Sequence, residues 1–296
     1  MASASPAAAS RWERVRGRLL AVAERLRPFY PALRVAGFVA AVAIVVVMGV
    51  RAAGEVDTAD LAWWPLPLAL VAAGLWWVLL ARGWAIVAGG RTSRRDISLW
   101  CRTQALRFVP GGIWAPASRA ATVQGGAAEK LAAVGGENVL ALCAAVCIGG
   151  LGMGLGISPW WLALAPVLFV PLLAAGAVRG RVRVTPERAR RGLGNYGIAF
   201  LAYAVHAVLV QLAVSGSVDV LAVAGAACLA WAAGLVVVIA PSGIGVRELV
   251  YVELLAGTMP HAELAAAAVT MRLVMIAAEL GVLLVAGRPA PAPASS

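Results

Sequence analysis

Apolar residues run along this chain in blocks of about 20, separated by short charged segments, and that is the length a helix needs to cross a bilayer core. Reading from charge to charge, the pattern predicts spans at 35–50, 61–80, 131–155, 159–178, 196–214, 218–240 and 264–286. Trp63, Trp64, Trp76 and Trp77 fall near the two ends of the second block, as an aromatic belt would. In the third block Gly150 and Gly154, and likewise Gly152 and Gly156, sit four residues apart, a spacing that lets another helix approach closely.

Two segments break the pattern. Residues 98–130 are moderately apolar but interrupted by Arg102, Arg107, Arg119 and several prolines and glycines. Residues 241–259 follow an apolar block with no polar loop between. Irregular backbone at membrane depth is tolerated only where protein or a water-filled cavity surrounds it. Both segments therefore read as re-entrant broken helices. The expected fold is an all-α polytopic membrane helix bundle of about seven or eight spans plus these elements. Residues 1–34 form a basic amphipathic leader, 35–287 the membrane domain and 288–296 a disordered Pro-Ala-Ser tail. Within the membrane domain, two pseudo-repeated halves cover about 35–178 and 194–287.

Composition agrees, with 62% hydrophobic and 13% charged residues, against about a quarter charged in a soluble globular domain. The net charge of +11 comes almost wholly from arginine. It lies beside apolar blocks, which suits an anionic membrane leaflet and argues against nucleic acid as a partner. In the leader, Trp12, Val15, Leu19, Val22, Leu26 and Phe29 recur at helical spacing among arginines, as in a helix lying on a membrane surface. Six arginines between 179 and 191, against none near Ser158 or Ser215, set the orientation. The leader and the second and fourth loops face the cytoplasm, in a protein of the bacterial inner-membrane type.

Cys101, Cys143, Cys147 and Cys228 form no CxxC pair and no Cys/His cluster, so they read as packing residues, with no metal or cofactor implied. His206, alone on an apolar helix, reads as a packed or hydrogen-bonded histidine.

The two irregular segments share a signature. One runs Arg107-Phe108-Val109-Pro110-Gly111-Gly112-Ile113-Trp114, the other Ala240-Pro241-Ser242-Gly243-Ile244-Gly245-Val246-Arg247-Glu248. Proline stops the incoming helix, glycines permit a sharp turn, and the next helix opens with unpaired N–H groups that can cradle phosphate or carboxylate. Arg247 adds a donor fork suited to phosphate. In transporters, broken helices at matching places in two halves mark the binding site. Glu137, Arg272 and Glu279 lie inside apolar blocks, where charge is costly unless partnered. The expectation is that Glu137 pairs with Arg247 or Arg272 in a polar cavity.

At these residues the chain resembles the flippase-like membrane domain of lysylphosphatidylglycerol synthases and their stand-alone relatives. Arg107 to Gly111, Glu137 with Asn138 and Val139, Gly243 to Glu248, and Arg272 carry the resemblance. Asn138 departs from it, standing where such proteins more often have a basic residue. The resemblance implies translocation of a phosphate-bearing lipid, either a modified phospholipid or a polyprenyl-phosphate-linked sugar. The expected substrate-binding set is Arg107, Pro110, Gly111, Arg119, Glu137, Gly243, Gly245, Arg247, Glu248 and Arg272, with no catalytic residue. Two alternatives stay open. One is a membrane transferase using a polyprenyl-phosphate donor, with Asp57 and Asp60 as candidate acid–base or metal-binding groups. The other is a non-catalytic partner subunit of a lipid or glycan synthase.

Overall fold

The computed structural model describes residues 61–89, 94–105, 114–123, 126–169, 185–237 and 241–286, with isolated helical positions between Val39 and Gly54. Every regular element among the described residues is helical: α1 (Pro65–Val87), α2 (Arg94–Ala105), α3 (Trp114–Thr122), α4 (Ala127–Gly156), a 3-10 helix (Pro159–Phe169), α5 (Pro186–Ser215), α6 (Val220–Val236), a 3-10 turn (Pro241–Gly243), α7 (Val246–Leu254) and α8 (His261–Ala286). Four of them, α1, α4, α5 and α8, are long and apolar enough to cross a membrane. At about 1.5 Å per residue, the 30 residues of α4 and of α5 reach roughly 45 Å, beyond the ~30 Å hydrocarbon core. The chain is a multi-pass membrane protein, helical in every regular element of its described residues.

Local chemistry sets the ends of these helices. Pro65 opens α1 and Pro186 opens α5, where a missing N–H costs nothing. The Thr185 hydroxyl accepts from the Arg188 N–H at 3.3 Å, and Asp219 caps α6 by accepting from the Ala222 N–H at 3.1 Å. Between α5 and α6 the chain reverses in four residues, using Gly216 at φ +67°.

α1 and α5 are the antiparallel centre. Asn195 Nδ2 donates to Leu79 O at 2.7 Å at one level, and His206 Nδ1 lies 3.2 Å from Ala69 O at another. Trp76, Phe200, Tyr203 and Trp231 form an aromatic cluster in the core, with Trp76 and Trp231 crossing at 6.3 Å. The glycine pairs of α4 serve two neighbours. Positions two apart on a helix point about 200° from each other, so Gly150 and Gly154 face Trp161, Leu162 and Leu164 of the 3-10 helix while Gly152 and Gly156 face Leu221, Ala222 and Gly225 of α6.

Several expected elements differ. The described part of the 159–178 block is an 11-residue 3-10 helix with Pro166 inside it, about 22 Å long at 2.0 Å per residue, and so is short of a full crossing. The block at 218–240 yields the 17-residue α6. α5 begins at Pro186, so Arg188, Arg190 and Arg191 belong to its first turns and not to a loop. Trp63 and Trp64 are exposed as belt residues should be, but Trp76 and Trp77 are buried, because α1 extends to Val87 and places them mid-helix. All four cysteines are free and buried, and His206 is fully buried. The leader 1–34, the tail 288–296 and the segment with Asp57 and Asp60 lie outside the described residues.

Candidate functional site

The second broken segment builds a site from its own backbone. After Pro241, Ser242 takes φ +58°, the only positive φ among described residues other than glycine. Gly243 follows at +65° and Gly245 at +80°. Three left-handed residues within four positions fold the chain back on α6, and α7 starts at Val246. A left-handed serine is strained, and such strain clusters at ligand clamps and switch regions. The Ser242 hydroxyl is buried without a partner.

Arg247, in the first turn of α7, threads between two glycines. A Cβ on Gly234 of α6 would meet its Cγ at 2.5 Å, and one on Gly243 would meet its Nε at 2.8 Å. Its guanidinium stands 5.4 Å from the Trp231 ring centre, within cation–π range. Arg247 Nε is buried and has no hydrogen-bond partner.

Glu248 turns back onto its own helix. Its carboxylate reaches back and accepts from the Gly245 N–H at 2.7 Å, the acidic half of a capping box. One donor of the helix start expected to cradle a ligand anion, the Gly245 N–H, is therefore taken by the protein's own acid. The other Glu248 oxygen stands 3.8 Å from Arg272 of α8. One carboxylate thus answers both the helix end and Arg272, leaving Arg247 in formal excess.

Ser242, Arg247, Glu248 and Arg272 line one cavity of about 50 Å³ together with Trp77, Tyr203, Tyr251 and Met275. At ~10–15 Å³ per water on this scale, it holds a few waters or a small anion. Gly243 and Gly245 shape its turn. Tyr251 is held by donating to Gln211 Oε1 at 2.7 Å.

Glu137 and Arg119 form a second centre. Glu137 Oε1 accepts from Trp100 Nε1 at 2.8 Å and from Arg119 Nη1 at 2.5 Å. The Arg119 guanidinium lies 5.8 Å from the Trp84 ring and 5.7 Å from the Trp100 ring. Both charged residues are buried, and Glu137 Oε2 has no hydrogen-bond partner. The expected pairing of Glu137 with Arg247 or Arg272 is corrected. α3 folds against α4 and delivers Arg119, while Trp77 and Trp100, in ring contact at 5.8 Å, stand between Glu137 and the Arg247 cavity.

Arg107, Pro110 and Gly111 lie outside the described residues, so the first copy of the motif has no geometry to compare with the second. Of the remaining expected residues, Arg247, Glu248 and Arg272 line one cavity with Gly243 and Gly245 in the adjoining turn, and Arg119 and Glu137 form a separate pair. Trp84 and Trp100 join these centres without having been singled out, Trp77 joins as a core residue rather than a belt residue, and Ser242, quoted only as part of the motif, joins through its buried hydroxyl. Tryptophan within the charge-interrupted stretch 98–130 was the available signal for Trp100. Compared with known proteins, the chain matches no family model and no curated protein.

Proposed function

We propose that this chain is a flippase-like lipid transporter, moving a phosphate-bearing lipid across a bacterial inner membrane while its acyl or prenyl tails stay in the bilayer. The observation that carries the reading is Arg247, whose buried Nε has no partner and whose side chain lines a cavity with Ser242 and Arg272. A buried donor without an acceptor is costly, and an excess charge at membrane depth more so, unless an anion completes it. A phosphate oxygen supplies the acceptor and the charge together. The expected seven or eight spans, the two related halves and a cytoplasmic N-terminus belong to the same proposal.

The test is translocation of labelled phospholipids and polyprenyl-phosphate lipids in proteoliposomes, comparing the parent protein with Arg247→Gln and Arg272→Gln. The reading expects movement above empty vesicles that both variants reduce at least about tenfold, the worth of one charge-assisted hydrogen bond. No movement across the panel would refute it. The partner-subunit reading draws support from two observations, the small cavity and the Glu248 carboxylate that takes the Gly245 N–H at the helix start. Co-purification with a synthase, with Arg247→Gln and Glu248→Gln both harmless, would establish that reading in its place.

A further inference from the structure

Outside the Arg247 cavity, described residues line a larger, open space of about 650 Å³. It lies at the ends of α1, α4 and α5, between the C-terminal turn of α1 and the Thr185 cap of α5. Arg188, Asp96 and Glu129 line it, so it carries both signs of charge and is suited to water rather than to acyl chains. The innermost lining is more specific. Trp84, whose ring faces Arg119, is in its wall. So are Thr122, whose hydroxyl donates to the Arg119 carbonyl at 2.7 Å, and Ala133, one turn before Glu137.

On the other side of the pair stands Trp100. It lines a small void of about 10 Å³ with Cys101, Gln104, Glu279 and Trp77, and Trp77 in turn lines the Arg247 cavity. The Arg119–Glu137 pair therefore lies between the two larger cavities, with Trp84 as the wall on one side and Trp100 with Trp77 on the other.

We infer that Arg119 is a second anion station on the route to Arg247, and that Glu137 occupies it when no ligand does. The inference rests on the transport reading for the identity of the route. The ligand is a phosphate-bearing anion. Arriving from the large cavity, it replaces Glu137 at the guanidinium. Glu137 Oε2, already without a hydrogen-bond partner, is free to take up water or a new donor as the pair separates. Trp100 loses its Oε1 acceptor in the same event, so its ring is released from the wall that it forms with Trp77. Occupation of Arg119 thus opens the partition, and the Arg119–Glu137 contact closes it.

Cys101 reports on this partition, being buried beside Trp100 in the small void. The full chain is prepared with Cys143→Ala, Cys147→Ala and Cys228→Ala, leaving Cys101 as the single thiol. It is placed in phosphatidylcholine nanodiscs, and the labelling rate by an anionic methanethiosulfonate is measured. Labelling is expected to be slow in this parent and about tenfold or more faster in Glu137→Gln, since the charge-assisted bond holding the wall is lost. Inorganic phosphate should accelerate the parent and not Arg119→Met. If nanodiscs containing phosphatidylglycerol accelerate it while free phosphate does not, the anion is the lipid headgroup; the reverse assigns a free phosphate. The inference is overturned if neither anion source changes the parent rate and Glu137→Gln, still monodisperse, labels within twofold of it. Should Glu137→Gln not fold, the two anion titrations on the parent decide alone. Lipid movement in proteoliposomes with an insensitive Cys101 would refute the gate and leave the transport reading standing. A responsive Cys101 without lipid movement would do the opposite.

Discussion

Gly234→Ala separates the role of Arg247 from that of the surrounding fold. A methyl at this position would sit 2.5 Å from Arg247 Cγ, 2.7 Å from Nε and 3.1 Å from Cδ. All three atoms belong to one flexible side chain, so the clash is relieved when Arg247 rotates out of its slot. The variant gains ~0.5–1 kcal/mol because alanine suits a helix interior better than glycine. It loses the contact with Trp231, worth about 0.5–2 kcal/mol. The two largely offset each other, leaving a change between a gain of about 0.5 and a loss of about 1.5 kcal/mol.

Gly225→Ala on the same helix is the contrast. There the methyl would meet Met153 N at 2.5 Å and Gly149 O at 2.9 Å, both backbone atoms of α4 that no rotamer change can move. α4 and α6 must part, at an overpacking cost of about 1–3 kcal/mol. Thermal unfolding in detergent, read alongside translocation in proteoliposomes, distinguishes the two. The expectation is that Gly234→Ala keeps its stability and loses at least about tenfold in transport, as a misplaced donor fork would cause. Full transport by Gly234→Ala would show that the position of Arg247 between the glycines does not matter. Equal destabilisation by the two variants would show that Gly234 is only a packing contact.

Breaking the buried pair by Glu137→Leu should cost about 3–5 kcal/mol, because Arg119 is left without its counter-charge, whereas Arg119→Met with Glu137→Leu should cost less than either single change. A double-mutant cycle in denaturant measures this, and additivity would refute the coupling. Tyr251→Phe leaves Gln211 Oε1 without its donor and should destabilise by about 1–3 kcal/mol. Tyr196→Phe, whose hydroxyl has no hydrogen-bond partner, should be neutral in the same assay. Ser242→Gly relieves a left-handed residue and should stabilise by up to about 1 kcal/mol while weakening anion binding, whereas Ser242→Ala should weaken binding without the stability gain.

Apolar block length and charge placement were enough to predict a helical membrane protein with crossings at α1, α4, α5 and α8, because the energetics of lipid act on each segment separately. The Pro-x-Gly-Ile-Gly string predicted the turn before α7 for the same local reason: proline and glycine restrict or free the backbone wherever they stand. The prolines of 159–178 carried a warning that the apolar run concealed, and over 159–169, the described part of that block, the chain forms a 3-10 helix. Which charges meet was not legible in the sequence. Glu137 could answer any arginine by composition, and only the folding of α3 against α4 selects Arg119 over Arg247 and Arg272. Glu248 looked like part of an anion cradle, yet the geometry at Gly245 turns its carboxylate onto its own helix start. Trp76 and Trp77 could sit at a membrane interface or in a core by their chemistry. The extension of α1 to Val87 decided for the core, since the extra turns carry the helix past them. Local backbone preferences are written residue by residue, whereas ion pairing, helix register and the cavities between helices depend on distances that only the packed bundle defines.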